Sequence, residues 1–467
     1  MSLASLDIFH VLAAIAALLV FAHTFGFLAQ KVGLPAIIGE IAGGLVLGAT
    51  VLKRVWPDGS AWLFQPAPAD ALTQPTPAML PILGICSQLG LLLLMFLGGL
   101  QMKRLVTKRD AKAVGWISSL GVIIPVGVGL VLLQFIDVNR YVGVAQSKTA
   151  LDIVLLTALA VTSIPVITRI FMDLGLMKTR LARVVLSVAV IEDVLLYIAV
   201  SIAVGMADAS SKTDASIPAL LNMDPNSTVF ILWHIAASLT LLAVASWGFR
   251  SLGNSTSARL NLIARRSPIG WQLALVFVTT IVAMLLGLAP LYGALVAGIA
   301  ASNDIRPDFV AARLQIEKFA TGFFIPLYFA LIGVSLDLVA NFDWKFTVGM
   351  LVIGTAVKYF GSLLGARIAG EPAAMAKALA ISVNARGGPG IVLATTAFAA
   401  GIIDARAYTG LIILALATSV IAGTWLARIL RTDPETTRLI TGDGETDGAS
   451  LATPAASLDA GVPVGAR

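Results

Sequence analysis

The sequence predicts an all-α polytopic membrane protein of 13 transmembrane helices, built as two inverted six-helix repeats with two broken helices. Three observations carry that expectation. The 467 residues are 58% hydrophobic and only 12% charged, with a mean hydropathy of +0.92, which leaves too little polar surface for a soluble chain of this length. Apolar stretches of about 20 residues, the length that crosses a bilayer, recur along the chain. Glycine-rich segments of the first half also return in the same order in the second.

Taken in order, the spans begin near Ile8, Pro35, Ser87, Ala113, Thr149, Leu181, Thr228, Gly270, Leu288, Lys318, Phe346, Ala374 and Ala407. The first, Ile8 to Gln30, has no basic run before it and no convincing cleavage site, so it reads as a retained helix rather than a leader. The second and ninth are short and rich in glycine. Loops after odd-numbered helices hold nineteen Lys/Arg, including the Lys103 to Lys112 cluster, Arg169 to Arg183, Arg250 to Arg266 and Arg306 to Lys318; the opposite loops hold seven. By the positive-inside rule the N-terminus is outside and the C-terminus cytoplasmic, as expected of a multi-pass protein of the cell (inner) membrane. After Arg431 the hydrophobic period stops and Thr, Gly, Ala, Asp and Pro dominate, so 431–467 reads as a disordered cytoplasmic tail, too short for an appended regulatory domain.

The halves echo one another. Ile38-Gly39-Glu40-Ile41-Ala42-Gly43-Gly44 in the second helix matches Tyr292-Gly293-Ala294-Leu295-Val296-Ala297-Gly298 in the ninth, and Gly99-Leu100-Gln101-Met102 matches Gly333-Val334-Ser335-Leu336. An odd offset of seven helices inverts the second unit. This gives repeat one at about 8–206, a linking helix at about 228–249 and repeat two at about 270–430, with the repeat interface as the expected site. Close packing of small residues is the plain alternative.

Two adjacent carboxylates, Glu192 and Asp193, stand in the middle of the sixth span, about 18 Å from one end and about 20 Å from the other. A charge at that depth faces a cavity or a partner and is a functional-site hypothesis by default. The fifth span breaks at Thr162-Ser163-Ile164-Pro165, and its repeat counterpart, the twelfth, breaks at Asn384-Ala385-Arg386-Gly387-Gly388-Pro389-Gly390. Unwound backbone at membrane depth survives only when buried in protein or lining water. Two breaks together offer carbonyl oxygens, helix ends and the hydroxyls of Thr162 and Ser163 to an ion; an ordinary proline kink is the alternative. Lys358 lies deep in the eleventh span, where pairing with Glu192 or Asp193 is its cheapest solution. Arg386 is the other deep basic residue.

These segments, with Gly39 to Gly48, Phe96-Leu97-Gly98-Gly99-Leu100 and Leu331 to Asp337, resemble the monovalent cation:proton antiporter-2 branch of the cation:proton antiporter superfamily, which includes sodium/proton and Kef-type potassium/proton exchangers. The resemblance runs over roughly residues 8–430. It implies that Asp193 carries Na⁺, K⁺ or H⁺, that Glu192 departs from the aspartate of electrogenic sodium/proton relatives, and that Lys358 and Arg386 compensate charge. It also implies exchange by alternating access, favoured as electrogenic by charge count, in a homodimer whose mobile six-helix core, carrying two crossed, broken helices, moves against a dimerisation scaffold.

Other classes fit less well. A sodium-coupled symporter of an organic solute would not require an acidic pair facing a buried lysine, and a channel would lack proton coupling. An aspartyl protease needs two facing carboxylates, whereas helix neighbours point about 100° apart. The chain therefore reads as a transporter and not an enzyme, with no cofactor. The net charge of +6 reflects cytoplasmic loops rather than a nucleic-acid partner, and the lone Cys86 permits neither an internal disulfide nor a thiolate metal cluster. His10, His23 and His234 read as interfacial packing, Asp152 as a solvated helix start, and Glu40 as a group bonding within its helix or facing a cytoplasmic funnel.

Overall fold

The structure, a computed structural model, describes residues 5–64, 79–101, 110–208, 216–254, 266–302 and 306–442. Met102, most of the Lys103 to Lys112 cluster, Lys212, Arg259, Arg265 and the tail beyond residue 442 lie outside the described residues.

All regular elements among the described residues are helical. Those of nine residues or more are α1 Ser5–Lys31, α2 Ala36–Leu47, α3 Met79–Gln101, α4 Ala111–Phe135, α5 Lys148–Ala160, α6 Ile164–Asp173, α7 Arg180–Asp208, α8 Thr228–Asn254, α9 Pro268–Leu285, α10 Pro290–Ala301, α11 Pro307–Phe319, α12 Ile325–Ser335, α13 Trp344–Ala369, α14 Ala373–Ser382, α15 Gly387–Ala399, α16 Ala405–Thr432 and α17 Pro434–Gly442. Among the described residues, ten segments are long and apolar enough to cross a membrane. Starts follow side chains that accept bonds from otherwise unpaired first-turn amides: Ser147 before α5, Ser267 before α9, Asp343 before α13 and Asp404 before α16. Gly370 ends α13 in the left-handed region, φ +95°, where a side chain would be strained.

The glycine echoes meet in space. A Cβ on Gly44 of α2 would lie 1.9 Å from Ala330 O, and one on Gly333 of α12 would lie 2.1 Å from Ile41 O. In the other half, a Cβ on Gly298 of α10 would lie 2.1 Å from Phe96 O, and one on Gly99 of α3 would lie 2.2 Å from Leu295 O. Thus α2 crosses α12 as α10 crosses α3, backbone on backbone. The other contacts repeat in the same way: α1 packs on α2 as α9 on α10, α5 on α7 as α14 on α16, and α4 packs on its own counterpart α13. Reciprocal pairing of this kind is what an inverted repeat produces, and it exceeds chance packing of small residues.

Three expectations need correction. The third helix starts at Met79, earlier than Ser87. Arg313 and Lys318 lie in helix α11 rather than in a loop, since Pro307 opens a helix that runs through a π turn, Ala320–Phe324, into α12. Pro326 has no amide hydrogen for Gly322 O, and His23 Nε2 lies 3.0 Å from that carbonyl. The segment after Arg431 is not featureless. Asp433 caps α17 by accepting from Thr436 N, and α17 packs on α16, α14 and α7 with Thr436 and Ile440 buried.

Candidate functional site

The break in the fifth span is the stretch 161–163 between α5 and α6, and the break in the twelfth is 383–386 between α14 and α15. They touch. Ser163 N donates to Ala385 O at 2.7 Å, and Thr162 Oγ1 donates to Val383 O at 2.5 Å. Ser163 Oγ also accepts from Val166 N, which starts α6 with Pro165 in its first turn. Gly387 holds φ +29° with its absent Cβ position 2.2 Å from Val166 Cγ2, so this crossing excludes any side chain there.

A helix that ends in mid-membrane leaves its last four carbonyls without partners. At α5 all four are satisfied. Val161 N takes Thr157 O; Arg386 donates Nε to Ala158 O at 2.9 Å and Nη2 to Leu159 O at 3.0 Å; Lys358 Nζ donates to Ala160 O. Two further donors of Arg386 go to Gly354 O and Asn384 Oδ1. Two buried cations therefore sit at the negative end of a half-helix dipole, where they are favoured. The sequence reading offered such carbonyls to an ion, but those of α5 already serve Lys358 and Arg386.

Lys358 also donates to Gly121 O and, at 2.6 Å, to Glu192 Oε1. Both side chains are essentially unexposed. The expected pairing of the eleventh-helix lysine with the acidic doublet thus falls on Glu192, and Thr162 lies within hydrogen-bonding reach of the same carboxylate. Asp193, 4% exposed, points elsewhere on α7. Its Oδ1 has no hydrogen-bond partner among the described residues, nor has Glu192 Oε2. A bare buried carboxylate oxygen is costly, and both carboxylates keep an unused acceptor, Asp193 at Oδ1 and Glu192 at Oε2.

Sequence reasoning missed several supports. Thr418 and Ser419 of α16 accept from Arg386 N and Gly387 N at the start of α15; an adjacent hydroxyl pair in mid-span was the available signal. Asn384 fixes the Arg386 fork and donates to Thr355 O. Tyr197, one turn beyond Asp193, donates to Met95 Sδ on α3 at 2.5 Å. At the start of α7, Arg180 binds Glu371 at 2.7 Å and Asp110 at 3.0 Å. Asp152 Oδ1 and Glu40 Oε2 lack partners among the described residues. His234 lies between Phe230 O and Gly287 O, and His10 packs on Phe9 and Trp62, in keeping with packing roles.

The family described as sodium/hydrogen exchanger, transmembrane, matches residues 15–432. K(+)/H(+) antiporter 1 of Saccharomyces cerevisiae is 26% identical, over 90% of this chain and 45% of its own length. Na(+)/H(+) antiporter NhaS4 of Synechocystis is 25% identical, over 90% of this chain and 97% of its own. The chain spans less than half the length of the yeast relative and of the Arabidopsis relatives it matches. The solved sodium proton antiporter MjNhaP1 of Methanocaldococcus jannaschii superposes with a TM-score of 0.63 at 14% identity, covering 91% of this chain and 99% of that one, which shows a shared fold.

Proposed function

The chain belongs to the sodium/hydrogen exchanger family, and from that premise we propose that it exchanges a monovalent cation, Na⁺ or K⁺, for protons by alternating access at Asp193. The observation that carries the reading is a buried carboxylate, Asp193, with an oxygen that has no partner among the described residues, next to the ion-paired Glu192 on α7, the helix that packs on α5, α6, α14 and α15. Deprotonated Asp193 binds the cation, with Thr162 and Ser163 as further oxygen ligands; protonated Asp193 releases it. Either occupancy neutralises a charge that would otherwise be costly to carry across the apolar barrier. Lys358 and Arg386 hold the end of α5 in place, and a change in the Glu192–Lys358 bond adds a charge movement biased by about 2.3 kcal/mol per 100 mV.

In this reading α4 to α7 and α13 to α16 form the moving core, and α1 to α3 with α8 to α12 form the scaffold of a homodimer in the inner membrane. The N-terminus is outside and the C-terminus cytoplasmic. Thirteen crossings follow if α10 and each interrupted pair, α5 with α6 and α14 with α15, cross once. The two relatives are named for different cations, so ion choice belongs to experiment. Proteoliposomes carrying a fluorescent pH reporter should show proton movement when an outward gradient of Na⁺, K⁺ or Li⁺ is imposed, with potential clamped and unclamped. Current without a pH change would indicate a channel, and a response only with an added organic solute would indicate symport.

A further inference from the structure

We infer that Ser118 of α4 and Ser362 of α13 relay protons to the Glu192–Lys358 pair from the face that carries Asp110, Arg180 and Glu371. This route is separate from the Asp193 oxygens and deepens the exchange reading, on which it rests. Serines inside helices usually bond the carbonyl four residues back. Ser201, Ser382 and Ser419 do so here. Ser118 and Ser362 do not: both are buried, and neither hydroxyl oxygen has a partner among the described residues. Leaving such a group unsatisfied costs about 1–3 kcal/mol, so two on facing helices beside the same ion pair call for an explanation.

Their placement supplies one. Around the point where a Cβ on Gly121 would sit stand Ser362 Oγ at 3.0 Å, Glu192 Oε1 at 3.2 Å and Lys358 Nζ at 3.6 Å. The space that glycine leaves is therefore shared by a hydroxyl, a carboxylate and an ammonium. Ser118 lies three residues before Gly121 on the same face of α4, and Ser362 four residues after Lys358 on α13. Both are displaced from the pair toward the same end. Beyond them, α4 begins at Ala111, about 10 Å away, after Asp110. On the neighbouring turns Gly361 and Gly365 bring α13 onto the backbone of α4, their absent Cβ positions 2.7 Å from Leu120 O and 2.5 Å from Trp116 O. The hydroxyls thus lie beside a tightly closed helix contact. With Glu192 Oε2 also unpartnered, the group offers the two to four polar contacts a buried water takes up.

The relay keeps atoms and charge in balance. A proton arriving by water is accepted on a serine oxygen, which passes its own proton inward. The last transfer forms an O–H bond on Glu192, cancels that carboxylate's negative charge and weakens its hold on Lys358, which keeps its ammonium hydrogens. Reversal returns the proton. Arg386 remains on the α5 carbonyls, and Asp193 is left to the cation.

The test uses the full chain in proteoliposomes with saturating cation. Ser118→Ala/Ser362→Ala should slow exchange about a hundredfold, lower the charge moved per cation and change the H₂O/D₂O rate ratio, while cation-dependent thermal stabilisation persists. Ser118→Thr/Ser362→Thr should restore most of the rate, and Gly121→Ala should slow it by filling the shared space. The single alanine variants run in parallel in case the double fails to fold, and each should slow exchange. Wild-type rate, charge and isotope ratio in the alanine variants would overturn the relay alone. Equal loss of rate and thermal stabilisation in alanine and threonine variants would also overturn it, by showing a structural role. Wild-type protein that couples no cation to protons would instead sink the exchange reading, and the relay with it.

Discussion

Two helix crossings define this molecule, and they are made in opposite ways. Where α2 meets α12 and α10 meets α3, glycines bring backbones together with no side chain between them, and the contact is dispersion over close surfaces. Where α5 and α6 meet α14 and α15, helix ends point at one another in mid-membrane, and every carbonyl at the end of α5 is satisfied by a backbone amide or by Arg386 and Lys358. The first contact leaves no room for a side chain. The second consists of charges and hydrogen bonds, and under the proposed exchange it is the place where a proton or cation would alter structure.

The comparison can be broken at its most sensitive point. Asp193→Asn should abolish exchange, with unfolding stability altered by no more than about 1 kcal/mol, since no protein hydrogen bond to Asp193 Oδ1 is lost; full exchange in proteoliposomes would move the ion site elsewhere. Lys358→Met should cost about 3–5 kcal/mol, because Glu192 is left buried without its cation. Adding Glu192→Gln should recover part of that in thermal unfolding, and a double variant no more stable than the single would show that the ion pair is not the cause. Gly298→Val should cost about 3 kcal/mol by forcing α10 from α3, with exchange per folded molecule recoverable at lower temperature.

The smallest effect belongs to the surface pair Arg54–Asp337, 2.9 Å apart. Arg54 holds the Asp337 carboxyl below its usual value. A depressed acid stabilises the fold above its unfolded-state pKa, and that contribution fades as pH falls through the folded value. Asp337→Asn should therefore shift the thermal midpoint slightly at neutral pH and not at all at strongly acid pH; a shift that grew on acidification would contradict the pairing.

Much of this was legible in the sequence because a membrane makes polarity informative. Span lengths, the two interruptions and the depth of Glu192, Asp193 and Lys358 follow from how little charge a bilayer tolerates, and the glycine echoes revealed the repeat because only glycine permits backbone contact. Helix α17 was invisible: Thr436 and Ile440 show no hydrophobic period, and the surface that buries them comes from α7, α14 and α16. The residues alone placed Lys358 opposite an acidic doublet without choosing between the acids, whereas the family resemblance pointed to the first of them, Glu192, which is the one it meets.

By itself, then, the sequence determined which residues would be expensive in lipid, and so which helices had to assemble around them. Only the tertiary structure decided how that cost is met: Glu192 takes Lys358, Arg386 takes two of the α5 carbonyls, and Asp193 keeps an oxygen with no partner among the described residues. The physical reason is that solvation cost depends on a residue's own chemistry and depth, whereas hydrogen bonding depends on distances and angles between groups far apart in the chain.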